Sequence, residues 1–290
     1  MKRLIAILGP TATGKSALAL AFAKRLAGAA IISADSRQVY RGLDLGTAKP
    51  SLAERARVPH ELIDVANPDQ PFSLAQYQKL AYAAIEGVEK PFLVGGSGLY
   101  AQAVLDGFDL PAAPPDAELR RAQPGAEELL SRLRVLDPLA AETIDAGNRY
   151  RLLRAVERAG RPLGRAPRYD SLRLGLSAPR EVLYRRADER VDAMLAAGWL
   201  EEVRTLLEHY SPELPALSGL GYRELAEHLA GRSSLAEAVA LTKRRTRQFI
   251  KRQLTWFRRD PLIEWFDITQ AGWIAQAVEL VGEFWRLPQP

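Results

Sequence analysis

Leu4-Ile5-Ala6-Ile7-Leu8 runs into Gly9-Pro10-Thr11-Ala12-Thr13-Gly14-Lys15-Ser16, and helix formers follow to Ala27 before Gly28 closes the run. An unbroken apolar pentapeptide ended by Gly-Pro reads as a buried strand, and apolar positions at helical spacing after Lys15 read as a helix. The eight residues between them match GxxxxGK[ST] in the strand–loop–helix setting which that motif requires. Glycines let backbone N–H groups converge on phosphate oxygens at the positive end of a helix. Lys15 adds a point charge, and the Ser16 hydroxyl is a ligand for Mg²⁺. A di- or triphosphate site is therefore expected at Gly9–Ser16, though the loop alone does not say which phosphate it holds.

Working outward, Ala30–Ser33 is a second short apolar run and Pro91–Val94 a third, leaving through Gly95-Gly96-Ser97-Gly98. Strand, glycine turn, helix and strand in this order predict an α/β fold: a P-loop NTPase-like parallel sheet flanked by helices. Common nucleotide hydrolases carry a metal-binding acid at the end of a second strand. Here the run ending at Val94 has none, and the acid directly after a strand is Asp35. Asp35 can be read as a turn or helix cap, since Asp-Ser is a common capping pair. It also lies at the carboxyl end of a parallel strand, where open α/β sheets bind ligands.

After Phe108 the composition changes. Leu110–Pro115 (LPAAPP) reads as a boundary, Asp116–Ala159 as short Arg-rich helices, and Gly160–Pro167 as a second hinge before a strand at Leu172–Leu176. Glu181–Leu207 is strongly helical with an interruption near Gly198, and Thr242–Arg259 is another helix. The expected organisation is a P-loop core begun by 1–110, a small all-helical insertion at 111–168, and core completion with basic C-terminal helices at 169–290.

The chain has 290 residues, 47% of them hydrophobic and 26% charged, which excludes wholesale disorder and supports a sizeable core. It lacks Cys, so disulfides, thiolate metal sites and cysteine nucleophiles are excluded, and three His make no metal constellation. No apolar run approaches a membrane span, and a cytoplasmic protein with no membrane contact is expected. The net charge is +5, and residues 241–260 hold eight basic side chains against one acid. Charge this concentrated predicts a polyanion partner, nucleic acid first. Lys243, Arg247 and Lys251 fall four apart on one helix face, while Phe249, Ile250, Leu254 and Phe257 form an apolar one. A merely solvated face is the other reading of the basic stripe. The five Trp sit at apolar positions and are expected in the core.

The stretch Ile32–Pro50 (ISADSRQVYRGLDLGTAKP), taken with GPTATGKS and Val94–Tyr100 (VGGSGLY), closely resembles the bacterial tRNA dimethylallyltransferases (the IPP transferase family). The resemblance continues in family order through VPHELID (58–64), FSLAQY (72–77), RLLRAVE (151–157), RVDAMLAAG (190–198), GLGYRE (219–224) and TRQFIKRQLTWF (246–257). The chain departs from the family at Ser97, usually Thr, at Glu61, usually His, at Ser218, usually Gln or Arg, and in a shorter insertion around Arg120–Glu127.

The resemblance implies transfer of a dimethylallyl group from dimethylallyl diphosphate to N6 of adenosine 37, beside the tRNA anticodon. Gly9, Pro10, Thr11, Ala12, Thr13, Gly14, Lys15 and Ser16 would hold the diphosphate, with Mg²⁺ on Ser16 and Arg223 as a cation from the far side. Asp35 would be the general base for the adenine amine. Asp35, Ser36, Arg37, Gln38 and Ser97 would meet the target nucleotide, Gln38 pairing with base edges. The base must be extruded to reach such a site. Arg120, Arg151 and Arg154 of the insertion, with Lys243, Arg247 and Lys251, would hold the tRNA backbone. No obligate protein partner is expected, and a monomer is. Rival readings are a P-loop small-molecule kinase, a non-catalytic RNA-binding NTPase module and a prenyltransferase of free adenine nucleotides. The Arg-rich insertion argues for tRNA against the last of these.

Overall fold

The computed structural model describes residues 1–110, 116–158 and 164–286. The expected boundary over 111–115 and residues 160–163 of the expected hinge lie outside them. The chain forms two compact units, Met1–Leu105 with Pro167–Pro290, and Asp106–Ala166.

The first unit is built on six parallel strands in the order β3-β2-β4-β1-β5-β6. They are β1 (Lys2–Leu8), β2 (Ala29–Ser33), β3 (His60–Glu61), β4 (Lys90–Gly95), β5 (Tyr169–Ser177) and β6 (Ile263–Asp267). β1 is central, and its residues Leu4 to Leu8 are buried on both faces, which is why the run is continuously apolar. Alternate residues divide between two cores. Leu4, Ala6 and Leu8 pack with Ile32 and Leu93 and the helices α3 (Leu74–Glu86) and α4 (Gly98–Leu105). Ile5 and Ile7 pack on the other face with Phe92, Leu174, Leu176, α1 (Lys15–Ala23) and α13 (Trp273–Arg286).

Between β2 and β3 lies α2 (Leu52–Arg57); α9 (Arg180–Ala196) and α10 (Trp199–His209) follow β5, separated at Gly198, whose φ is +101°. α11 (Tyr222–Leu229) and α12 (Leu235–Phe257) complete the unit. α12 starts at a Ser234 capping box with Glu237, seven residues before the predicted start. A third core joins α10 and α11 to Val39, Tyr40 and Leu43, fixing the long loop after β2. Its tightest point is Gly221 at φ +85°, where an added Cβ would lie 1.9 Å from the Trp199 ring.

The second unit holds α5 (Ala117–Arg121), α6 (Ala126–Leu136), α7 (Pro138–Thr143) and α8 (Arg149–Glu157) around Leu119, Leu129, Leu133, Leu152 and Leu153. It also takes in Asp106–Leu110, because Phe108 bridges Arg165 and the Asp109 N–H donates to Gly164 O. Among the described residues no helix is long and apolar enough to cross a membrane.

Candidate active site

The strand order sets β1, β4 and β2 side by side, so the loops leaving their carboxyl ends are neighbours. Gly9 leaves β1 at φ +131°, and a Cβ there would meet the Leu176 carbonyl oxygen at 2.3 Å. Gly14, left-handed at φ +84°, begins α1 without a side-chain cap. The first N–H groups of α1 therefore stay available to an anion. Thr13 Oγ1 and Lys15 Nζ both donate to Pro10 O, at 2.9 and 2.6 Å, curling the loop around its own lysine. Burial, with the Arg190 charge second, brings the Lys15 pKa down to about 7, against a partial lift from Asp35. The Ser16 hydroxyl takes no hydrogen bond among the described residues.

Asp35 is half-buried just past β2. Its Oδ1 accepts from the Arg37 N–H at 2.8 Å and, more weakly, from the Gln38 N–H at 3.4 Å. Turn cap and reactive carboxylate are thus compatible, since Oδ2 takes no hydrogen bond among the described residues. Ser36 N–H donates to Ser97 Oγ at 3.0 Å, and the two hydroxyls lie 3.3 Å apart, so the loop after β2 is tied to the turn after β4. The Ser97 hydroxyl therefore has a defined role here.

Several residues expected in the site also make contacts within the protein. Gln38 has its amide engaged inside its own loop: Oε1 accepts from Ser33 Oγ, and Nε2 donates to Thr47 O and Ala48 O. These bonds brace the loop. Arg37 donates to Pro215 O, Ala216 O and Ser218 Oγ, the last at 3.0 Å, so Ser218 anchors this arginine. Arg223 is exposed at the second position of α11, within electrostatic reach of Glu227. Arg190 of α9 is bonded to the phosphate loop, its Nη1 donating to Thr11 Oγ1 at 3.0 Å. Arg190 is thus a contact of this loop that sequence reasoning missed. It opens the stretch RVDAMLAAG, but no spacing ties a residue of a distant helix to Thr11. Burial lowers its pKa, and Asp35 opposes that shift.

The basic stripe is partly neutralised. Lys243 pairs with Asp192 and Arg247 with Asp188, both acids on α9, while exposed Lys251 has no partner among the described residues. In the insertion, Arg120 and Arg154 both grip Glu157, whose side chain is 4% exposed. Arg120 thereby ties α5 to α8, Arg154 pairs within α8, and Arg151 is the exposed one of the three. Trp265 is 36% exposed on the edge strand, unlike the core position expected for it. Among the described residues no cluster of three or more His, Asp or Glu could hold a metal ion.

Comparison with known proteins accounts for this assembly. The IPP transferase family model matches residues 38–260, and an isopentenyl transferase model matches 2–64. The chain belongs to the IPP transferase family. A tRNA dimethylallyltransferase of Roseiflexus castenholzii is 50% identical over 279 residues, covering 90% of this chain and 91% of the relative. The structure of the full-length tRNA isopentenylpyrophosphate transferase of Bacillus halodurans is 37% identical, with a TM-score of 0.76 over 98% of this chain and 97% of that one. A eukaryotic dimethylallyltransferase, solved in snapshots of its action on tRNA, reaches a TM-score of 0.84 at 27% identity, covering 98% and 79%.

Proposed function

We propose that the chain transfers the dimethylallyl group of dimethylallyl diphosphate to N6 of adenosine 37 in tRNA, giving N6-isopentenyladenosine in the cytoplasm. The observation that carries this reading is the convergence, at the carboxyl ends of β1 and β2 on either side of β4, of a phosphate loop with a carboxylate whose Oδ2 takes no hydrogen bond among the described residues. Family membership supports prenyl transfer to tRNA and sets the kinase reading aside.

The bond between the allylic carbon and the diphosphate oxygen breaks as the N6–carbon bond forms, and Asp35 accepts the N6 proton. The leaving diphosphate gathers charge against the loop N–H groups, Lys15 and Arg190. The exposed Ser16 hydroxyl beside the loop fits Mg²⁺, which binds through few protein ligands plus phosphate oxygens and water, and once bound would neutralise diphosphate charge. Ser36 and Ser97 frame the entry of the extruded base. Arg151 and Lys251, whose side chains have no partner among the described residues, are the strongest candidates for phosphate contacts, and the chain acts as a monomer.

Labelled dimethylallyl diphosphate, Mg²⁺ and unmodified tRNA, run beside AMP and ATP as acceptors, test the reading. Label in tRNA that is lost in Asp35→Ala supports it. Label in AMP or ATP alone would refute it.

A further inference from the structure

We propose that Gln253 is a positioning residue that sets the spacing between the diphosphate loop and the turn carrying Ser97. This rests on the functional reading above, in which Gly9–Ser16 holds the prenyl donor and Asp35 faces the acceptor.

Gln253 stands on α12 among Ile250, Leu254 and Phe257, all buried, and is itself only 5% exposed. An aliphatic side chain would fill that position at no desolvation cost, whereas a buried amide is tolerated when both its ends are bonded. Both are. Oε1 accepts from the Thr11 N–H at 3.0 Å, and Nε2 donates to Gly96 O at 2.9 Å. The reversed amide would set donor against donor and acceptor against acceptor, so one orientation serves.

The two partners are main-chain atoms of loops leaving different strands. Thr11 lies within the phosphate loop, with its hydroxyl held by Arg190. Gly96 precedes Ser97, which holds the Ser36 N–H beside Asp35. One amide therefore completes a bonded path from Thr11 through Gly96, Ser97 and Ser36 to the general base. The glycines make room for it. A Cβ on Gly96 would lie 2.4 Å from Gln253 Nε2, and one on Gly98 would lie 2.2 Å from Cδ1 of Trp256, three residues further along α12. Transfer needs the donor carbon within near-attack distance of N6, and a misplacement of about 1 Å costs on the order of 100-fold in rate. A strut between the donor and acceptor loops acts on that distance.

The test uses the full-length enzyme with Gln253→Met, which keeps length and loses both bonds, and Gln253→Glu. Single-turnover transfer is measured with saturating dimethylallyl diphosphate and tRNA, beside the affinities for pyrophosphate and for tRNA and the melting temperature. Gln253→Met is expected to bind both within about threefold of wild type and to slow the single-turnover step by roughly 30- to 100-fold. In Gln253→Glu the ionised carboxylate repels Gly96 O, while the protonated one can donate to it. Its rate relative to wild type should therefore rise as pH falls from 8 to 5.5, with the Gln253→Met ratio flat; this arm decides the matter should Gln253→Met fail to fold. Single-turnover rates near wild type in both variants, or a loss confined to binding, would overturn the proposal alone. No transfer by the wild type would overturn the functional reading and this proposal with it.

Discussion

Lys15 gives the sharpest quantitative expectation. Its ammonium is buried, faces Arg190 and has a pKa of about 7 in the free protein. A bound diphosphate favours the charged form, so donor binding is linked to protonation of this one side chain. With a free-state pKa of about 7, Lys15 is roughly nine-tenths neutral at pH 8, and binding there should take up about 0.9 proton per ligand. The last proton of the ligand leaves near pH 6, so between pH 7 and 9 only the protein titrates. Over that window affinity for dimethylallyl diphosphate should fall about 50-fold, or ~2.3 kcal/mol. The unliganded fold behaves oppositely: the depressed pKa means the unfolded chain binds more protons above pH 7, so its stability rises with pH from about 7 towards 10.5. Calorimetric titration at pH 8 in buffers of different ionisation enthalpy measures the uptake directly, with Lys15→Met as the control expected to bind weakly with no pH slope. Uptake near zero in the wild type, or a slope retained in Lys15→Met, would refute the linkage.

Other expectations follow from the same geometry. Asp35→Asn keeps an acceptor for the Arg37 N–H, so donor affinity and melting temperature should hardly move while single-turnover transfer falls by roughly 10²- to 10⁴-fold. Arg190→Ala should weaken pyrophosphate binding more than Arg223→Ala does, which a side-by-side titration checks. Lys251→Ala should lower the salt slope of tRNA binding by about one unit. Lys243→Ala should change it less, because Asp192 already neutralises that lysine. Gly221→Ala forces a Cβ into the Trp199 ring at positive φ and should destabilise the fold by about 3 kcal/mol or more, read from denaturant unfolding.

Local pattern was enough for the central strand, the phosphate loop and its helix, because an apolar run, glycines and helical spacing act within a dozen residues. The placement of Asp35 after β2 was legible for the same reason. β3 and β6 were not. Two residues carry no period, and an edge strand such as Ile263–Asp267 buries too little of itself to show one. A polar Gln253 on the apolar face of α12 was a visible anomaly, but its two partners sit 242 and 157 residues away. Arg190 reaches Thr11 across 179 residues. The basic stripe lies on α12 as its spacing predicts, yet the acids that neutralise two of its members belong to α9, and no spacing along α12 reports them. The sequence by itself determined the sheet class, the phosphate loop and the carboxylate, since each is written in near neighbours. Tertiary structure decided that Arg190 meets the loop after β1, which arginines are paired and that Gln253 joins that loop to the turn after β4. Those are contacts between distant segments, set by packing in three dimensions.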